Sequence, residues 1–148
     1  TDLEDNMVTM MYYMHEVYTH YLRSVAFETE LSLDEMEVLN CLMFHCSAIA
    51  MKEIAAYAGL SITACFAAVG SLVLKKMVKV NYLQRDTPVE LTSCSKEVLD
   101  KLRYAVQDLE NICLNGFDEK EKQRQQENVQ RMNKNLKKLL EHARTSVR

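Results

Sequence analysis

The chain has 148 residues, 48% of them apolar and 26% charged, with three glycines and one proline. That length and composition exclude general disorder, allow one real core or one small module with added helices, and leave few residues that break helices. The net charge of −3 is uneven: residues 1–47 carry one basic and nine acidic residues, residues 48–92 five and three, and residues 93–148 twelve and nine. The middle segment is mildly basic, which permits nucleic acid as a partner without a strong electrostatic footprint.

Apolar positions at Leu3, Met7, Met10, Met11, Met14, Val17, Tyr18, Tyr21 and Val25 step by three and four, predicting one long amphipathic helix over residues 3–28. At 1.5 Å per residue it would reach about 39 Å, too long to bury its stripe on a small module alone. Ser32-Leu33-Asp34-Glu35 is a capping box, and Met36, Leu39, Leu42 and Met43 form the stripe of a second helix ending near His45. A two-turn helix follows over residues 51–58, with Gly59 suited to a left-handed C-cap. Ser61 then caps an uncharged helix over residues 61–74. Helix, glycine turn and helix make a helix-turn-helix.

Residues 78–83 (VKVNYL) alternate like a strand, residues 84–88 read as a turn, and Val89-Glu90-Leu91 can return as a second strand. Pro88 suits an exposed edge. Thr92 caps a long helix with Val98, Leu102, Ala105, Leu109 and Ile112 on one face. Gly116 breaks it, and Asp118-x-x-Glu121 restarts a charged helix whose stripe is Val129, Met132, Leu136, Leu139, Leu140 and Ala143. The expected fold is mainly α: a winged helix-turn-helix with a short β-wing and long flanking helices. The expected division is residues 1–30, an N-terminal dimerisation helix; 31–92, the winged module; and 93–148, the C-terminal dimerisation helices.

The segments LSLDEMEVLNCL, MKEIAAYAGLS, LKKMVKV and VELTSCSKEVLDKL, in that order, resemble the multiple-antibiotic-resistance-regulator (MarR) family over residues 31–140. The most specific points are Glu53-Ile54-Ala55 leading to Gly59-Leu60-Ser61, Leu91-Thr92 closing the wing, and the run from Gly116 to Glu121. The resemblance implies a homodimer with interlocking terminal helices and two winged modules that meet successive major grooves of a palindromic DNA operator. It also implies a small-molecule pocket between the dimer helices and each module. Two departures stand out. Ala67 and Ser71 hold positions where the family commonly has basic residues, and Ala64 and Phe66 replace small hydroxyl residues. Pro88 stands where the wing arginine is expected, in a wing about three residues short.

An uncharged reading helix lacks the bidentate arginine–guanine contact, the commonest specific one. Ser61, Thr63 and Ser71 remain as hydroxyl donors, with Ala64, Phe66 or Ala67 for a thymine methyl. Phosphate contacts fall to Lys52, Lys75, Lys76, Lys79 and Arg85. Weak affinity or narrow specificity is the expectation.

The methionine- and tyrosine-rich first helix offers Met11, Met14, His15, Tyr18 and Tyr21 as walls for a small aromatic or lipophilic effector; a dimer interface alone would also explain that stripe. Cys65 could be an oxidation switch at the DNA face, but no basic neighbour lowers its pKa, and a small packing residue is the plainer reading. Cys41, His45 and Cys46 supply three of the four ligands a structural zinc needs. His15 and His20, five apart, do not share a helix face as ligands would. No metal or other cofactor is expected. Nucleophile–base, phosphate-loop, dinucleotide and zinc-protease motifs are missing from the sequence, so the expectation is not an enzyme. Five cysteines without a C-x-x-C pair, no secretory signal pattern and no apolar run near 18 to 20 residues point to the cytoplasm and no membrane.

These readings favour a ligand-responsive homodimeric transcriptional regulator that binds double-stranded DNA. The alternative is a dimeric small-molecule- or protein-binding module of the same fold that has lost most DNA affinity.

Overall fold

The computed structural model describes residues 4–45 and 47–146. Its described elements run α1 (Met7–Thr29), α2 (Leu33–Phe44), β1 (Ile49–Ala50), α3 (Met51–Ala58), α4 (Ile62–Leu74), β2 (Val78–Val80), β3 (Pro88–Leu91), α5 (Lys96–Cys113) and α6 (Glu119–Ser146). The architecture is mainly α with a small antiparallel sheet, the expected winged helix-turn-helix. Residues up to Leu109 form one compact unit and those from Glu110 a second.

Helix α1 starts at Met7 because the Asn6 side chain accepts the Thr9 N–H at 2.9 Å; Leu3, the expected start, lies outside the described residues. Only its C-terminal half enters the core, through Leu22, Val25 and Ala26. Glu30, in the left-handed region at φ 56°, ends the helix, and Leu31 drops into the core. The capping box opens α2 as expected: Ser32 Oγ accepts from the Glu35 N–H at 3.1 Å, and Glu35 Oε1 from the Ser32 N–H at 3.0 Å. The expected stripe is buried at Met36, Leu39 and Leu42, while Met43 is half-buried. Around it close Ile54 and Ala55 of α3, Cys65, Ala68, Val69 and Leu72 of α4, and Val98, Leu99 and Leu102 of α5.

Helices α3 and α4 meet at 109°, inside the roughly 90–120° of a helix-turn-helix. Gly59, at φ 68°, makes the turn possible, since left-handed backbone favours glycine.

The sheet departs from a two-stranded wing. Ile49–Ala50 forms a third strand, and the order is β1-β3-β2, so β3 is central rather than an edge. Pro88 is tolerated there because it is the first residue of its strand. Strand β2 stops at Val80, three residues early. The cause is local: Asn81 Oδ1 accepts from the Leu83 and Gln84 N–H groups, both at 3.2 Å, which curls the chain out of the ladder. Thr92 caps a short 3-10 turn over Ser93–Ser95 before α5 begins.

In the second unit, Asp118 and Glu121 form a further capping box at the start of α6, with bonds of 2.9 and 3.1 Å. Leu136, Leu139 and Leu140 of its stripe are exposed. Among the described residues no single helix is long and apolar enough to cross a membrane.

Candidate nucleic-acid interface

Helix α4 carries the face that would meet a groove. Ser61 caps it by accepting the Ala64 N–H at 3.0 Å, which leaves its hydroxyl proton free to donate. Thr63, Phe66 and Ala67 are exposed beyond it and Ala64 is half-buried, while Cys65, Ala68, Val69 and Leu72 face inward. The outer face is thus as apolar as the sequence implies, and Leu74 at its end is 85% exposed.

Two of the residues expected to meet DNA are engaged inside the protein. The Ser71 hydroxyl donates to Glu35 Oε2 at 3.2 Å. Lys75 Nζ lies 2.8 Å from Glu35 Oε2 and 3.1 Å from Oε1. The residue read from sequence only as half of a cap is therefore the counter-charge of α4. Burial by itself would push the Glu35 carboxyl up. The Lys75 ammonium and the bonds with Ser32 bring it below its ordinary value. The signal available in the sequence was Glu35 as an acid beside a buried stripe; its partners lie 36 and 40 residues away.

Of the other cations, Lys79 pairs with Glu90 on the neighbouring strand at 3.0 Å. Lys52 on the first turn of α3, Lys76 after α4 and Arg85 in the wing are exposed and form no ion pair among the described residues.

The wing is drawn back. Ala50 provides no side-chain cap for α3, and the wing replaces it: the Asp86 carbonyl accepts the Met51 N–H at 3.2 Å, filling one of the donors a helix start leaves unpaired. Asp86 and Thr87 sit at φ 72° and 47°. The left-handed conformation is a strained one for a β-branched threonine. Leu83 at the tip is fully exposed, as is most of Tyr82.

The first-helix residues divide. Tyr18 donates to Asn40 of α2, and Tyr21 to Asp108 of α5. Burial pushes the Tyr18 phenol upward. Met14 is half-buried, whereas Met11 and His15 are exposed, as is His20. A separate cleft of about 290 Å³ lies where α2 meets the sheet, lined by Leu42, Met43, His45, Leu91, Glu90 and Arg103.

Cys65 points into the core, 3.7 Å from the Met51 carbonyl, so it is absent from the outer face of α4 and the expected oxidation switch there has no thiol to use. Burial pushes its thiol up, and that of Cys41 up to about 12. His45 Nδ1 donates to the Cys41 carbonyl at 2.7 Å and its ring packs edge-on to Tyr57. Cys46, the third proposed ligand, lies outside the described residues. Among the described residues no group of three or more His, Cys, Asp or Glu could hold a metal ion.

The fold is shared with solved regulators. A MarR-family transcriptional regulator from Silicibacter pomeroyi matches with a TM-score of 0.72 at 21% identity, covering 90% of this chain and 92% of that one. A MarR transcriptional regulator from Methanosarcina mazei Go1 matches with a TM-score of 0.72 at 15% identity over 94% of each chain. BpsR of Bordetella bronchiseptica, whose DNA binding is regulated by 6-hydroxynicotinic acid, matches with a TM-score of 0.56 at 11% identity, over 89% of this chain and 97% of that one. No protein-family model and no curated protein matches the sequence. The chain has the winged-helix fold of these MarR structures.

Proposed function

We propose that this chain is a ligand-responsive, homodimeric, DNA-binding transcriptional regulator whose DNA contacts are weak. The observation that carries the proposal is α3 and α4 meeting at 109° with the Ser61–Thr63–Phe66–Ala67 face of α4 outermost and a β-wing following. Ser61 and Thr63 would supply hydroxyl contacts, Ala67 and Phe66 contacts to thymine methyls, and Lys52, Lys76 and Arg85 contacts to phosphate. Lys79 joins them at little cost, since its exposed pair with Glu90 is weak. The operator would be palindromic, with half-sites about one helical turn apart.

Self-association would cover the apolar residues that one chain leaves exposed: Met7, Val8, Met11 and Tyr12 on α1, and Leu136, Leu139 and Leu140 on α6. Residues 1–30 and 93–148 are accordingly the proposed dimerisation segments around a winged module at 31–92. A small aromatic or lipophilic effector would lie against Met11, Met14, His15, Tyr18 and Tyr21. It would act by favouring a module spacing unlike the one the operator favours. Such a regulator works in the cytoplasm and is not an enzyme. The BpsR parallel supports ligand control.

Selection of duplexes from a random pool at about 50 and 200 mM salt tests the proposal. Enrichment of a palindrome at the lower salt, fading at the higher, is the expected result. A pool that stays random at both would reject DNA reading and leave the second reading, a dimeric small-molecule- or protein-binding module. The exposed Ile62, Phe66 and Leu74 on α4 are the observation that favours it.

A further inference from the structure

We infer that Glu35 withholds Lys75 from the phosphate backbone and thereby sets the low DNA affinity of α4; the inference rests on the DNA-binding reading above. The Glu35 side chain is 6% exposed and that of Lys75 37%. Oε1 accepts from the Ser32 N–H at 3.0 Å and from Lys75 at 3.1 Å, while Oε2 accepts from Lys75 at 2.8 Å and from Ser71 at 3.2 Å. Three donor groups make four hydrogen bonds to a carboxylate with about four acceptor sites.

Two lysines near the reading surface are ion-paired, and their environments separate them. In the Lys79–Glu90 pair both side chains stand in water, 68% and 49% exposed, so exchanging Glu90 for a phosphate costs little. Moving Lys75 to a phosphate would strand a buried carboxylate without its cation, which is strongly unfavourable. Lys75 is the C-cap of α4 and the first cation in sequence after that uncharged helix. Its neutralisation, together with the capture of Ser71, removes the charge and one hydroxyl that the helix could have offered.

Capping α2 does not require this arrangement. Glutamine at the same position also closes a capping box, so Glu35→Gln keeps the cap while it removes the charge that holds Lys75 and the second oxygen, which accepts from Ser71. Glu35 is thus a positioning residue that acts through Lys75.

The test uses the full chain with a 20-base-pair duplex of random sequence, about two helical turns, and titrates binding against salt for the wild type, E35Q, K75Q and the double variant. Helix content is checked by circular dichroism. We expect E35Q to bind roughly tenfold tighter, with log K falling more steeply against log salt by about 0.9 per protomer. K75Q should keep the wild-type slope, and the double variant should return to it. An unchanged slope in E35Q overturns the inference alone, as does a K75Q slope shallower than wild type. Failure of every form to bind duplex overturns the DNA reading and this inference with it. A second readout needs no DNA. Under limiting reductive methylation, Lys75 should react more slowly than Lys52 and Lys76 in the wild type and match them in E35Q. Equal rates in the wild type would show the pair open and sink the inference.

Discussion

Helices α2 and α6 begin the same way and end in opposite environments. Each opens with a reciprocal capping box, Ser32 with Glu35 and Asp118 with Glu121. Each repeats apolar residues at helical spacing. In α2 the stripe of Met36, Leu39 and Leu42 is sealed in a core where α2 packs on α1, α3 and α4; in α6 Leu136, Leu139 and Leu140 stay open to water. The difference teaches that periodicity specifies a face which must be covered and says nothing of what covers it. A short helix inside a sequence-compact unit finds its cover within the chain. A 28-residue helix presents more apolar length than its own unit can bury, which is the physical basis for proposing a second copy.

The contrast breaks most sharply at matched leucines. Leu39→Ala removes a fully buried side chain and should cost about 2–5 kcal/mol in urea unfolding. Leu139→Ala should leave unfolding within about 0.5 kcal/mol at protein concentrations too low for association. It should instead raise the dissociation constant for self-association in sedimentation equilibrium. A large loss of stability from Leu139→Ala in the dissociated chain would mean that α6 is covered from within. The caps give a smaller test. Ser32→Ala should lower global stability by about 1 kcal/mol, because α2 carries the core; Asp118→Ala should fray α6 in amide exchange and leave the unfolding midpoint of the first unit in place. Equal shifts from the two would erase the distinction.

The smallest expected effect is pH-dependent and singles out Glu35. Its carboxyl sits below its ordinary value of 4.5 in the folded protein. Ionised Glu35 therefore contributes stability that is fully present above that value and is lost as pH falls through the folded one. The urea midpoint of wild type should exceed that of E35Q near neutral pH, and the gap should narrow as pH falls below the ordinary value of 4.5. A gap that widens in acid would reverse the sign and with it the account of the Glu35–Lys75 pair.

Much of the architecture was legible because its signals are local. Gly59 at the helix-turn-helix turn, Ser61 at the start of α4 and the Ser32–Glu35 box each act within four residues. The sheet was less so. Two residues of β1 carry no detectable alternation, and the early end of β2 comes from one side chain, Asn81, turning back on its own backbone. Among the candidate interface residues, the apolar surface of α4 followed from composition, whereas the engagement of Ser71 and Lys75 did not.

By itself, then, the sequence determined the order of elements, their caps and the uncharged character of α4, since these depend on neighbours within a turn or two of chain. Only the tertiary structure decided which polar groups of α4 remain available. Glu35 meets Ser71 and Lys75 across 36 and 40 residues, and the Asp86 carbonyl reaches back to the start of α3. Such pairings arise when packing brings a buried charge or an unpaired N–H to its nearest partner, because leaving either unsatisfied costs more than the pairing itself returns.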